Sequence, residues 1–474
     1  MRAPAGRRRT QVVAGAVTVV LCLAGPTWPV HAQPGGNRPP GVPPPVDQTA
    51  LPTPADVRTM PYLVNNSATR QTGPAAQQTA CQQPVIGPQN LAAEPAAQRQ
   101  LRIRKAQKLA TGRDQLVAVI DSGVQPHPRL AGRLLNGGDY IENRSDLFDC
   151  DGHGTAVAGL IAAAPDPATG FVGVAPAARI LAIRQASTFY SVPLHQLKDG
   201  QDIRLSVGDT VSMARAVLRA VQLGATVINI SEAACFPAEP NQPNAPDLQA
   251  AVHYAVDHNV VVVVAAANTS GVCTQNSPEA LTTISSPGWF DDDVLAVAAT
   301  NGNGEPADFS LRGPWVDVAA PGTGAVSLAA GRPGLTTGLV DVHGRAHLLD
   351  GTSFATPYVA GLAALVRDRY RNLTAREVMN RIKRTARHST GPAGRRPDVG
   401  YGMIDPVAAL DTVLLEEHDV TPQPVHHTPP PPQNTLPRTV ALAGSGAALG
   451  LLGLTLVVVQ TVTRHRRKHL GQPS

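Results

Sequence analysis

Five short runs set the frame for this chain: QLVAVID (115–121), ARILAIR (178–184), ATVINIS (225–231), NVVVVVAAAN (259–268) and DVLAVAAT (293–300). Each is apolar or β-branched with little alternation between polar and apolar positions. A strand with one wet face needs that alternation, whereas a strand covered on both faces does not. Between several of them stand helical stretches: GTAVAGLIAAA (154–164), VSMARAVLRAVQLG (211–224) and PDLQAAVHYAVDHN (246–259). Strands buried on both sides and alternating with helices imply an α/β fold of three layers, a mostly parallel central sheet with helices on both faces. Functional groups in such folds gather beyond the carboxyl ends of the strands, where the strand order reverses.

The flanks of this block are of another kind. Residues 1–32 begin MRAPAGRRRT, continue through apolar QVVAGAVTVVLCLAG and reach VHA before Gln33. A basic start, a short apolar middle and a small-residue end predict a secretory signal peptide cut near Ala32. Residues 33–110 form an N-terminal extension whose first part, 33–57, holds too much Pro and Gly to build a core. Residues 415–438 are a second Pro-rich stretch, expected to be an extended spacer. Residues 439–463 carry no charged side chain and are followed by RHRRKH. That pattern predicts one C-terminal transmembrane helix with residues 464–474 as a basic cytoplasmic tail, which leaves 111–414 as a single exported domain.

This topology changes the meaning of the charge. The formal net charge is +5, from 40 basic and 35 acidic residues. Arg2, Arg7, Arg8, Arg9, Arg464, Arg466, Arg467 and Lys468 all lie in the terminal segments, and without them 32 basic residues face 35 acidic ones, about −3. The positive excess is a topology signal, and no nucleic-acid partner is expected. Once Cys22 leaves with the signal, Cys81, Cys150, Cys235 and Cys273 remain in an oxidising compartment. Four cysteines permit three pairings. Cys81–Cys150 with Cys235–Cys273 is favoured, because the second pair follows two predicted strand ends. No zinc-type His/Cys spacing occurs, and the cluster Asp139, Glu142 and Asp146 lacks an EF-hand pattern and reads as a solvated acidic loop. Neither a metal nor another cofactor is expected.

Three residues stand where chemistry is expected. Asp121 closes the run QLVAVID. His153 opens a helix in DCDGHGTAVAG. Ser353 opens another in DGTSFATPYVAGLAALVRD (350–368). Each alone has a plain structural use: a turn acid, a lone histidine, a helix cap. Together, VIDSGV, DGHGTAVAG and GTSFATPYVAG, in that order, resemble the subtilisin-like serine proteases over roughly residues 112–412. The resemblance implies that Asp121 is the buried carboxylate, His153 the general base and Ser353 the nucleophile. It also implies that Asn268, in VVVVAAANTSG, donates to the oxyanion. An extended peptide would pair with Ser231, Glu232, Ala233 and Ala234 on one side and with Ala265, Ala266 and Ala267 on the other. Many family members have two glycines where this chain has Ala233-Ala234. A Cys235–Cys273 bridge would join these two groove-forming segments.

Within that family the chain resembles the mycosins, membrane-anchored proteases of type VII secretion systems. The likeness rests on the signal, the Pro-rich extension, the triad domain, the Pro-rich linker, the anchor with its basic tail, and NISEAACF around Ser231. It implies protein or peptide substrates, a secretion complex in the membrane as partner, and an extension at 33–110 that wraps the domain. The leading expectation is a serine endopeptidase acting through an acyl-enzyme. The alternative is mainly a stabilising component of the complex, with proteolysis secondary. Residues 187–210 are expected to form a surface loop near the site.

Overall fold

A computed structural model describes residues 41–53, 75–85, 91–194, 203–240, 245–340, 343–388, 394–414, 417 and 454–464. The predicted signal peptide lies outside the described residues, as does nearly all of the Pro-rich linker. The central sheet is built from β1 (Leu116–Asp121), β2 (Leu134–Asp139), β3 (Arg179–Arg184), β4 (Val227–Ile230), β5 (Val261–Ala265), β6 (Leu295–Thr300), β7 (Val318–Pro321), β8 (Arg387–His388) and β9 (Gly402–Met403). Their spatial order is β8-β9-β7-β6-β5-β4-β1-β3-β2. All neighbours run parallel except β8 and β9.

All five predicted runs are strands of this sheet, and β1, β4, β5 and β6 are buried along their whole length. Each fully buried Val, Ile or Leu contributes about 1.5–3 kcal/mol relative to exposure, so this sheet is the principal source of stability. One face is covered by α1 (His153–Ala162) and α4 (Thr352–Arg369), the other by α2 (Thr210–Gln222) and α3 (Pro246–Asp257). Every residue of α4 from Thr352 to Arg367 is buried. The far end of α4 is tied to the start of the sheet, since Asp368 accepts hydrogen bonds from the backbone N–H groups of Thr111, Gly112 and Arg113.

The chain enters at β1, builds β3 and β2 on one side of it, then crosses to β4 and continues to β7 on the other. The strand order therefore reverses between β1 and β4. Their carboxyl ends, Asp121 and Ile230, open the crevice in which such folds carry chemistry.

Residues 187–194 and 203–207 depart from the expected loop. Ser187–Leu194 and Ile203–Val207 form an antiparallel hairpin, joined on its outer edge by Ala76–Gln77 of the N-terminal extension. Phe189, Tyr190, Val192 and Val207 bury themselves with Ile141 and Cys150 in a small second core, which is why the segment is a hairpin. The extension is held there by the Cys81–Cys150 disulfide, and farther on by pairing of Gln83–Val85 with Gly338–Val340. In the acidic cluster Glu142 and Asp146 are exposed, as a solvated loop requires, and only Asp139 departs from that expectation. Asp139 is 4 % exposed and, with Glu142, is paired to the buried Arg184 at 2.9 Å, while Asp146 pairs with Arg144. Two carboxylates could not share that recess without the guanidinium that neutralises them.

Of the predicted membrane segment, residues 439–453 lie outside the described residues. Residues 454–464 are helical, with Leu454, Leu456, Val457, Val458, Val459 and Val462 exposed. Among the described residues no helix is long and apolar enough to cross a membrane.

Candidate active site

Asp121 ends β1 fully buried, and its Oδ1 accepts from the Ser122 N–H at 2.7 Å and from His153 Nδ1 at 2.7 Å. An ionised carboxylate can only accept, so Nδ1 carries a ring proton, and in the neutral ring Nε2 keeps its lone pair. His153 is the first residue of α1, and the next residue explains how it comes so close to β1. A Cβ on Gly154 would stand 2.0 Å from the Gly123 carbonyl oxygen and 3.0 Å from Asp121 Oδ1. Only glycine permits that approach.

The start of α1 is capped by a residue that the motifs did not single out. Asp149 accepts from the N–H of Gly152 and of Thr155, from the Thr155 hydroxyl and from the Ser122 hydroxyl. The Gly154 N–H in turn donates to Ser122 Oγ. This lattice fixes α1 against β1, and with it the His153 ring. The available signal was an acid four positions before the histidine in DCDGH, readable as a capping acid for the helix that follows. Burial pushes the Asp149 carboxyl up to about 7, against the pull of its hydrogen bonds to Thr155 and Ser122.

Ser353 lies in the first turn of α4, 8 % exposed, where backbone N–H groups have no partner within the helix. Its carbonyl accepts from Ser231 Oγ, which ties the start of α4 to the end of β4. Asn268 follows β5. Ala267 has φ 83°, costly for a residue with a side chain, and turns the chain out of the strand there. The Asn268 Oδ1 accepts from both the N–H and the hydroxyl of Thr352. That fixes the amide's orientation and leaves Nδ2 beside Ser353: a Cβ built on Gly351 would be 2.8 Å from Ser353 Oγ and 3.3 Å from Asn268 Nδ2.

His153, Ser353 and Asn268 line one cleft of about 630 Å³, and Asp121 sits directly behind the His153 ring. The Phe354 ring packs 5.0 Å from the imidazole, centroid to centroid. No hydrogen bond joins the ring to the Ser353 hydroxyl, and in an empty cleft that contact commonly tightens only around substrate. Ser231, Glu232, Ala233, Ala234, Ala265 and Ala267 also line the cleft. Ala266 does not. It is fully buried and its N–H is spent on the Val297 carbonyl, as the alternation of a strand end requires. The Cys235–Cys273 disulfide joins the segment after β4 to the segment after β5 beside the cleft.

Burial alone would lower the His153 pKa, but Asp121, Glu232 and Asp149 outweigh it and push the imidazole up to about 10. A histidine raised on folding contributes stability that is complete below its unfolded value of about 6.5 and is lost as pH rises through the folded value. In a Ser353→Ala background, which prevents self-digestion, the melting temperature is therefore expected to fall from about pH 6.5 to about 10. Adding His153→Ala removes that slope. An unchanged slope contradicts the assigned electrostatics.

Comparison with known proteins identifies the family. The Subtilase family (peptidase S8) matches residues 112–402. This chain belongs to the subtilase family. As a subtilase it is a serine protease with a subtilisin-like fold. Mycosin-1 of Mycolicibacterium smegmatis is 38 % identical over 466 residues, covering 94 % of this chain and 97 % of the relative. The solved MycP3 protease from the type VII (ESX-3) secretion system is 38 % identical with a TM-score of 0.67, over 78 % of this chain and 99 % of that one. A chain in an intact ESX-5 inner membrane complex is 34 % identical with a TM-score of 0.68, over 88 % of this chain and 99 % of that one.

Proposed function

We propose that this subtilase is an exported, membrane-anchored endopeptidase serving a type VII secretion complex, with Asp121, His153 and Ser353 as its triad and Asn268 as an oxyanion donor. The observation that carries the reading is the buried Asp121–His153 pair, whose free Nε2 shares a cleft with Ser353 and the oriented Asn268 amide. As Ser353 Oγ bonds to the peptide carbonyl carbon, its proton passes to Nε2, and Asp121 stabilises the resulting imidazolium. Asn268 Nδ2 and the Ser353 N–H receive the oxyanion. The C–N bond then breaks as Nε2 returns the proton to the leaving amine, and water repeats the sequence to release the acid.

In this reading residues 1–32 direct export, 33–110 wrap the peptidase domain at 111–414, and 415–438 hold it off the membrane. Residues 439–463 cross the bilayer and 464–474 stay inside. The exposed valines and leucines of 454–462 support a lipid setting, since in water they would form an uncovered apolar surface. The mycosin-type relatives support the secretion role.

A fluorophosphonate probe applied to the full-length protein in membranes tests the chemistry. The expected result is label on Ser353, lost in His153→Ala. Label elsewhere, or none, overturns the triad. A chain ending at residue 438 is expected to leave the membrane fraction, and its retention overturns the anchor. A second role, as a structural member of the complex, is favoured by the likeness to a chain solved inside an ESX-5 membrane assembly. Secretion that persists in cells carrying Ser353→Ala separates that role from catalysis.

A further inference from the structure

The charged groups on the cleft wall are one-sided. Among its described lining residues are Asp151, Asp209, Glu232 and Asp350, and no lysine or arginine. Three of these acids are already engaged. Asp151 accepts from Ser187 and Thr188, Asp209 caps α2 through the Ser212 N–H, and Asp350 accepts from the Gly324 N–H. Glu232 differs. Its carboxylate accepts no hydrogen bond among the described residues, its side chain is 42 % exposed, and it lies 4.0 Å from His153 Nδ1 and within 4.8 Å of a carboxylate oxygen of Asp121. Since Nδ1 gives its proton to Asp121 at 2.7 Å, Glu232 is not needed to hold the ring.

The surroundings of Glu232 suit a long cationic side chain. Ala233 and Ala234, the next two residues, line the same cleft with small apolar side chains. A lysine or arginine can lay its methylene stem along such a surface while its charged head reaches a carboxylate. Burial and the neighbouring Asp121 carboxylate push Glu232 up to about 7, so a cation arriving with a peptide favours its charged form.

Resting on the protease reading above, we infer that Glu232 is a specificity-determining residue, selecting peptides that carry a lysine or arginine within a few positions of the scissile bond. Its chemistry is a carboxylate–cation pair formed at the cleft wall, close enough to the reacting centre for the charge to act on kcat/KM.

The test uses the full-length protein in detergent and matched quenched-fluorescence peptides. At each of three positions on either side of the cut, lysine is exchanged for norleucine, which keeps the stem and removes the charge, or for glutamate. The wild type is expected to favour lysine over norleucine by roughly tenfold at one position, with glutamate worst, and the ratio should shrink as salt rises. Glu232→Gln should bring the ratio at that position near one, and Glu232→Lys should invert it in favour of glutamate. Because each ratio compares two substrates on one enzyme, any change in the His153 base cancels. Cleavage by the wild type with no preference for lysine at any position overturns this inference and leaves the protease reading standing, even if a variant fails to fold. So does a preference that survives in Glu232→Gln. No cleavage of any peptide, with Ser353 unlabelled by fluorophosphonate, overturns both.

Discussion

Replacing Ser353 with alanine is expected to lower kcat for peptide hydrolysis by about 10⁶-fold while leaving the fold intact. The side chain removed is small, lies in the first turn of α4, and makes no hydrogen bond through its hydroxyl. The tether from this residue to Ser231 uses the backbone carbonyl, which alanine keeps. The melting temperature should therefore stay within a degree or two of wild type, as a far-ultraviolet thermal scan can check. Loss of activity with an unchanged melt assigns the hydroxyl to chemistry. Retained hydrolysis would remove Ser353 from the mechanism altogether.

The second large effect belongs to Asn268. Loss of one oxyanion donor costs about 3–4 kcal/mol of barrier, or roughly 10²–10³ in kcat, with KM little changed. Alanine is a blunt test here, since Oδ1 also accepts from the N–H and hydroxyl of Thr352 and so caps α4. Asn268→Asp retains that acceptor, loses the donor and puts a negative charge where the oxyanion forms. Both variants are expected to lose kcat, Asn268→Asp by the larger factor, measured on the alkaline plateau where His153 is neutral, and only Asn268→Ala should also lower the melting temperature. If Asn268→Asp hydrolyses peptides at the wild-type rate, the oxyanion is held by other groups.

Much of the architecture is legible because burial on both faces leaves so clear a mark. Runs such as VVVVA in β5 and LAVAAT in β6 have nowhere to go but the middle of a parallel sheet. Strand β2, LLNGGD, is hard to see for the opposite reason: it lies at the edge, part exposed, and carries two glycines. The short β7, VAAP, ends in proline and gains its place from β6 on one side and β9 on the other. The hairpin of 187–194 and 203–207 depends on a second core that receives residues from three distant parts of the chain, which no local pattern announces.

The site divides in the same way. Asp121, His153 and Ser353 stand out because each sits at a strand end or helix start that the local pattern marks. The supports of those groups do not stand out. Ser122 and Asp149 look like ordinary turn residues until α1 is laid against β1, and only then does one hydroxyl and one carboxylate lock two elements together. The grouping of Ala265, Ala266 and Ala267 as one binding strip overlooks the half-turn of each successive residue, which sends the middle one into the protein.

The link between Cys81 and Cys150 has a consequence for how processing of this protein is observed. It encloses residues 82–149, a loop that contains Asp121 itself. A cut inside it, for example among residues 86–90, frees no fragment: the upstream piece stays covalently attached, and the molecule keeps one mass until a reductant is added. A cut upstream of Cys81 sheds its fragment at once. Gels run with and without thiol would thus tell two maturation events apart that look alike on a reducing gel, although after either cut the strand at Gln83–Val85 stays bonded to its partner.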